Sequence, residues 1–420
     1  MISMKSEGFY KLSVEERRKL IIEAGLIDEG DARVLDNSLS IETADKMAEN
    51  VVGIFQMPYA LAMNFKINGK DRVIPMVTEE PSVVAAASHA AKLCLPEGFA
   101  SSSTSPIMIG QIQVVGLKEP EKARDMVLKE KNRLLEHATG KDSALVKLGG
   151  GPKDLSGKII TTKRGKMLIV EILVDVRDAM GANAVNSICE HLAPEIEKIT
   201  GGKVRLRILS NLAVHRLAHA KAIWKREIIG EEAIEGILDA YEFAANDEFR
   251  CATNNKGVMN GVSAVCLASG NDTRAVEAAC HAYASWKGKG KYLPFAEYSK
   301  NKSGDLVGEI ELPIAVGIVG GATKTHPLAQ LSLKILGVKS AQELAEIMAC
   351  VGLANNFAAL RALSTEGINR GHMELHARNV AIAAGAKGKM VDEVAAQLAR
   401  EKNVRVERAK ELIYELGKKS

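Results

Sequence analysis

From residue 107 to residue 209 the apolar residues of this chain change period in a set order. They alternate over 107–115 and recur at helical spacing over 119–138. They alternate again over 158–162 and 167–176, around a turn at Arg164, Gly165 and Lys166. Helical spacing returns over 182–199, and a last alternating run covers 204–209. A strand shows its side chains to two faces in alternation, whereas a helix repeats about every 3.6 residues. The order is therefore β-α-β-β-α-β, the ferredoxin-like motif. It predicts a compact small domain at 107–211, set into a larger chain.

The flanks read differently. Ser13 and Glu16 resemble a capping box ahead of a helix that runs to Ala24. Residues 73–77 form a short strand. Pro81 opens a helix over 82–93, whose Ala85, Ala86, Ala87 and Ala90 make a close-packing face. Residues 101–106, SSSTSP, read as a turn cluster and a hinge. Beyond 212, long alanine-rich helices are expected over 272–286 and 341–362, with strands near 292–297 and 308–312. The tail is helical over 372–384, 390–400 and 404–416, jointed at Gly385 and Gly388. At 420 residues, with about 150 residues per domain, two or three domains are expected. The fold class is α+β. A large helix-rich domain (1–106 and 212–366) carries the inserted small domain (107–211), and a C-terminal helical flap (367–420) follows.

Composition excludes several classes. Hydrophobic residues are 46% and charged residues 26%, an ordinary globular balance that rules out wholesale disorder. The apolar runs at 83–87 and 314–319 are far below the roughly 18 residues that span a bilayer. Residues 1–18 are mixed polar and charged, with no leader pattern, so a soluble cytoplasmic protein without a membrane segment is expected. Basic residues exceed acidic ones by only 56 to 52, and aromatics are 4%. That is too little charge and too little stacking surface for nucleic acid. The six cysteines, at 94, 189, 251, 266, 280 and 350, include no CxxC pair and read as reduced, buried thiols. There is no G-x-G-x-x-G after a strand, no G-x-x-x-x-G-K-[ST] and no G-x-S-x-G. Rossmann, P-loop and hydrolase-elbow sites are thus unsupported.

Several segments still carry chemistry. Glu79 and Glu80 stand beside Pro81 at a helix start, where a carboxylate also suits the helix dipole. Lys256 stands between Asn255 and Gly257 in what reads as a polar turn; it can approach a substrate oxygen or simply be solvated. Asp272 can cap the following helix. Asp178, Met180, Gly181 and Asn183 lie between a strand and a helix, where exposed amides attract an anion such as a pyrophosphate. The glycine-rich runs 148–154 and 317–330 allow a close backbone approach to a ligand. His215 and His219, like His372 and His376, are four apart. Neither pair has the H-E-x-x-H order or a nearby third ligand, so no metal is expected. A proton-donating histidine on a mobile tail is the sharper reading.

Together these segments resemble the class II 3-hydroxy-3-methylglutaryl-CoA (HMG-CoA) reductases. The matching runs are ENVVG (49–53), EEPSVVAAAS (79–88), DAMGAN (178–183), NKGVMNG (255–261), GNDTRAVEA (270–278), GGATKTHPLAQLSL (320–333) and GHMELHARN (371–379). Any one is weak; their order and spacing over nearly the whole chain are specific.

The resemblance implies a two-step, four-electron reduction of the HMG-CoA thioester to mevalonate and coenzyme A, or its reversal, with two nicotinamide cofactors. It implies Lys256 on the developing oxyanion, His372 as proton donor to the leaving thiolate, and Glu80 as proton donor to the aldehyde oxygen. Asp272 would lie beside Lys256 and Glu80, keeping the one protonated and tuning the other upward. It assigns Ser82, Arg250, Asn260 and Asn355 to the substrate, with Arg250 on its carboxylate. Asn254 stands where relatives often carry histidine and Asn355 where glutamine is common, which implies altered affinity. DAMGAN would hold the pyrophosphate through Asp178, Met180, Gly181 and Asn183. Asp142, on the adenine-side ribose, would favour NADH over NADPH, while Lys141 and Lys147 would pull toward NADPH. ENVVG would lie at a homodimer contact, with active sites shared between subunits, and the flap would close over them. Three other readings fit parts of the chain. They are an acyl-CoA thioesterase or lyase that needs no nicotinamide, a metal-dependent hydrolase, and a non-catalytic scaffold. Thioester-dependent NADH consumption, survival in chelator, and convergence of Glu80, Lys256, Asp272 and His372 separate them.

Overall fold

Two tryptophans and eight phenylalanines are few for a chain of this length, and four of these rings stand in one column. In the computed structural model, which describes residues 8–36, 39–140, 144–365, 377–401 and 403–417, Phe65, Phe99, Trp224 and Phe357 are at most 1% exposed. Phe65 stacks on Phe99 at 5.5 Å, and Phe99 meets Trp224 edge-on at 6.4 Å. Trp224 lies flat on Phe357 at 3.9 Å. The buried indole N–H donates to the Ala90 carbonyl at 3.1 Å, so no donor is stranded. The column fastens a sheet to the 24-residue helix Ala341–Ser364.

The ten strands are β1 (Tyr59–Ile67), β2 (Lys70–Val77), β3 (Phe99–Ser103), β4 (Ile107–Val115), β5 (Gly151–Thr162), β6 (Gly165–Asp175), β7 (Lys203–Ser210), β8 (Leu217–Trp224), β9 (Ala296–Lys300) and β10 (Leu306–Pro313). The larger sheet has the order β2-β1-β3-β8-β10-β9. Ala218, Ala220 and Ala222 alternate along β8 and are all buried. Small residues at these positions let helix Ala341–Ser364 lie close to the sheet.

Several local expectations change here. Ser101, Ser102 and Ser103 are not a hinge: they form β3, which lies between β1 and β8. The hydroxyls of Ser101 and Ser103 both donate to the Glu346 carboxylate, and Asn68 brackets the Ser101 backbone. Long-range partners thus turn a turn-like composition into a strand. β8 itself stands where helix was expected. His219 lies on β8, with its ring 3.2 Å from Glu311, so the His215–His219 spacing is not a helical face. Residues 119–138 form two helices, Pro120–Lys129 and Lys131–Thr139, with a break at Glu130. Pro81 does not open a helix; helix Val83–Leu93 starts two residues later, after Ser82.

The smaller sheet runs β5-β6-β4-β7 with all neighbours antiparallel. Its first and third strands are central, as in the ferredoxin-like motif. Helix Ala182–Thr200 and the 120–139 pair pack on it over a core that includes Ile112, Leu134, Val170, Ile172, Val185 and Leu192. Ser13 caps helix Val14–Glu23 with a complete capping box. Near the C-terminus, helices Lys389–Glu401 and Val406–Gly417 share a small apolar cluster with Ala377 and Ala381. Among the described residues, only helix Ala341–Ser364 is long and apolar enough to cross a membrane, and 67% of its apolar window is buried inside the fold.

Phe357→Ala should lower unfolding free energy by roughly 3–5 kcal/mol, the cost of emptying a buried aromatic site. Denaturant titration checks this, and a loss below about 1 kcal/mol would show that the column does not carry the packing.

Candidate active site

The segment that read as a polar turn is a helix. Residues Glu248–Ala268 form 21 helical residues capped by the Asp247 side chain, which accepts from the Arg250 amide at 2.7 Å. The helix holds Gly257 and Gly261, each costing about 1 kcal/mol against alanine in helix propensity. Gly261 has a packing reason. A Cβ there would lie 2.8 Å from both the Val351 carbonyl and the Asn355 amide nitrogen of the neighbouring helix.

Next to this seam, buried amides bind the lysine helix to its surroundings. The Tyr298 hydroxyl donates to Asn356, and Asn356 donates to the Asn254 side chain, both at 2.9 Å. Asn255 donates to the Leu293 carbonyl and accepts from the Phe295 amide. Asn254 is therefore a packing residue in this chain. Asn355 is likewise buried, and its amide donates to the Val351 carbonyl one turn back.

With the helix so fixed, Lys256 and Asn260 fall four apart on one face. Both meet Glu80. The Lys256 ammonium donates to one carboxylate oxygen, and Asn260 lies 3.3 Å from the other. Glu80 sits in the loop between β2 and helix Val83–Leu93, with its amide donating to the Thr78 hydroxyl at 3.1 Å. It does not serve the helix dipole; it is held toward Lys256. Ser82 follows Pro81 at φ 73°, a left-handed conformation that costs energy for a residue with a Cβ. Its hydroxyl makes no cap bond. Arg250 is half-buried near the start of the lysine helix. Burial pushes its guanidinium below its usual pKa, and among the described residues no carboxylate offsets that.

Asp272 is elsewhere. It caps helix Thr273–Lys287, accepting from the Arg274 and Ala275 amides at 3.0 and 3.1 Å. The helix rises about 18 Å from Lys256 to Ala268 and Asp272 follows its end; among the described residues Asp272 is engaged by Arg274 and Ala275, and Lys256 by Glu80. His372 and Asp142 lie outside the described residues.

The loop 178–183 leads into a helix start without a side-chain cap. Gly181, at φ 106°, precedes that helix, Ala182–Thr200. The first amides of that helix thus have no intrahelical acceptor. The carboxylate of Asp178 is spent on the Ala341 amide at 2.8 Å. Behind the loop stands Arg216, buried and bonded to the Ala179 and Met180 carbonyls at 3.1 and 3.0 Å. No local motif marks Arg216, because its partners are about 36 and 100 residues away in sequence.

A model of hydroxymethylglutaryl-coenzyme A reductase matches residues 13–377. The chain belongs to the hydroxymethylglutaryl-coenzyme A reductase family. It is 56% identical over 418 residues to a 3-hydroxy-3-methylglutaryl-coenzyme A reductase from Archaeoglobus fulgidus, covering 99% of this chain and 95% of that one. A probable HMG-CoA reductase from Borreliella burgdorferi is 37% identical, over 89% of this chain and 86% of that one. Among solved structures, the HMG-CoA reductase from Streptococcus pneumoniae superposes with a TM-score of 0.84 at 38% identity, over 98% of this chain and all of that one. A class II structure from the same organism, bound to NADPH, gives a TM-score of 0.83 at 39% identity, over 86% of this chain and all of that one. As a member of this family the chain is an oxidoreductase of the mevalonate pathway that acts on HMG-CoA.

The cysteines take no part in the site. All six are free and buried. Burial pushes the thiols of Cys94, Cys189 and Cys266 up to about 12, and that of Cys251 to about 11. Cys280 and Cys350 are pushed up by the same cause. A raised thiol pKa leaves almost no thiolate at neutral pH. The native chain should therefore resist iodoacetamide and keep its activity, and should take up the label only on unfolding. Rapid inactivation by one alkylation, located by mass spectrometry, would contradict this.

Proposed function

We propose that the thioester is reduced at the Glu80–Lys256–Asn260 cluster, with Asp272 supplied by a second copy of the chain and His372 delivered from the C-terminal helices. The contact of Lys256 and Asn260 with one carboxylate carries this reading. A lysine ammonium has three donors, so the one given to Glu80 leaves others for a substrate oxygen. There Lys256 stabilises the negative charge that grows as the carbonyl is reduced. His372 hands a proton to the leaving thiolate, and Glu80 gives one to the aldehyde oxygen in the second step. Arg250 pairs with the substrate's free carboxylate, which would relieve a guanidinium that burial disfavours. Ser82 and Asn260 supply polar contacts to the substrate; Asn355, assigned to the substrate by the resemblance, is buried beside Gly261 with its amide on the Val351 carbonyl.

The uncapped start of helix Ala182–Thr200, with Asp178, Met180, Gly181 and Asn183, is our site for the cofactor's pyrophosphate. When bound there, the nicotinamide supplies the two hydrides. NADH is the preferred form on this reading, through Asp142 at the adenine-side ribose. Residues 1–106 and 212–366 are assigned to HMG-CoA and dimer contacts, 107–211 to the cofactor, and 367–420 to a flap. Two features support self-association. Asp272 lies beyond the end of the helix that carries Lys256 near its middle, and the stretch 52–55, which begins inside ENVVG, bears bare apolar side chains, with Val52 and Phe55 the most exposed large hydrophobics among the described residues. Six unpaired thiols suit a reducing cytoplasm.

Lys256→Ala and Asp272→Asn should each lower kcat by roughly a hundredfold to a thousandfold. Mixed, unfolded together and refolded, the two variants should regain about a quarter of wild-type activity, because half of random dimers carry one intact shared site. No recovery in dimers shown to be mixed would end the shared-site reading. Absorbance loss on adding HMG-CoA should show a higher kcat/KM with NADH than with NADPH, and the reverse order would remove the role given to Asp142.

A further inference from the structure

We propose that Arg216 is a positioning residue that shapes the pyrophosphate loop and locks it to the turn carrying Asp272. This rests on the reading that residues 178–183 hold the pyrophosphate. Arg216 lies between β7 and β8 and is 5% exposed. Its Nη1 donates to the Ala179 and Met180 carbonyls, and its Nη2 to the Val316 carbonyl. A buried cation is costly unless its donors are all used, and here the users are three backbone carbonyls from two loops. Asp178 and Asp175 stand close enough to favour the charge, though burial outweighs them.

The geometry of the peptide unit does the rest. In a trans peptide the carbonyl and the following N–H point in opposite directions. Holding the Ala179 and Met180 carbonyls on Arg216 therefore turns the Met180 and Gly181 N–H groups to the side away from the guanidinium. The run continues into the first amides of helix Ala182–Thr200, which has no side-chain cap. Successive amides disposed in this way form an anion-binding concavity. Gly181 is required for the turn, since a Cβ there would strike Val176 at 2.8 Å.

The other arm reaches the turn that carries Asp272. Val316, held by Arg216, precedes Gly317, whose N–H donates to the Asn271 side chain at 2.8 Å. The Gly317 carbonyl accepts from the Asn271 amide at 3.1 Å. Ile318 N–H donates to the Asp178 carbonyl at 2.9 Å. Asn271 immediately precedes Asp272. One guanidinium thus sits where the pyrophosphate loop crosses the segment that clamps the Asp272 turn.

Arg216→Lys keeps the charge but loses the fork that spans three carbonyls. It should raise the KM for the dinucleotide, and the Kd for ADP-ribose, roughly tenfold to a hundredfold. The KM for HMG-CoA and the Kd for AMP should hold, and kcat should change less than the dinucleotide KM. Arg216→Ala should lose more, and added methylguanidinium should restore part of the ADP-ribose affinity. A folded Arg216→Lys protein with unchanged dinucleotide KM overturns the proposal, as does an equal loss for HMG-CoA. Should neither variant fold, hydrogen exchange on the unmutated chain decides. ADP-ribose should slow exchange at Gly317 as well as at 181–184, and protection confined to 181–184 overturns the lock. Gly181→Val tests the underlying reading separately: if it binds ADP-ribose like the wild type, the loop is not the pyrophosphate site, whatever the Arg216 variants do.

Discussion

The lysine helix and helix Ala341–Ser364 meet closely because each places a glycine against the other. Gly261 faces the Val351 carbonyl, and a Cβ on Gly352 would come 2.8 Å from Val262. Two mid-helix glycines are a poor choice for an isolated helix, so tertiary contact must return what propensity loses. It does so by bringing backbones together and sealing Asn254, Asn255, Asn355 and Asn356 with partners. The same long helix contributes Phe357 to the aromatic column and Glu346 to β3, and its first amide binds Asp178. Lys256 is therefore referred, through one rigid body, to both the larger sheet and the loop 178–183.

That rigidity separates Lys256 from the turn carrying Asp272. A 21-residue helix is a fixed spacer. With Lys256 near its middle and Asp272 just past its end, the helix sets the lysine–glutamate pair apart from the turn that carries Asp272. The aspartate is not idle in its own chain, since it caps the next helix, and a capping carboxylate keeps a defined direction. An element that is stable by itself thus presents a charge to whatever approaches it.

Much of this was legible from sequence where periodicity was local and long. The β-α-β-β-α-β order, helix Ala182–Thr200 and the Ser13 capping box follow from patterns within about twenty residues. Glu80, Lys256 and Asn260 were legible only as a set matched to a family, because nothing local joins residue 80 to residue 256. What escaped was decided by distant partners. The serine-rich β3 exists because Glu346 and Asn68 take its polar groups. The lysine helix read as a turn because asparagine and glycine favour turns, and only the neighbouring helix makes them helical. Arg216 has no signature at all, since a lone arginine becomes informative only once three carbonyls converge on it.

The absence of a Rossmann fingerprint has a structural counterpart. A dinucleotide in an open parallel sheet binds in the crevice beyond the carboxyl ends of the strands. The smaller sheet here is wholly antiparallel and offers no such crevice. The helix start proposed for the pyrophosphate is the one that follows β6. A helix start on a small sheet is poorly supported by that sheet alone, and the supports observed come from outside it. They are the Ala341 amide, the Ile318 amide and Arg216. The loop 178–183 is in this sense part of the seam between the two sheets. Its geometry is set by the same residues, 316–318, that hold Asn271, so the loop and the turn presenting Asp272 share one mounting rather than two.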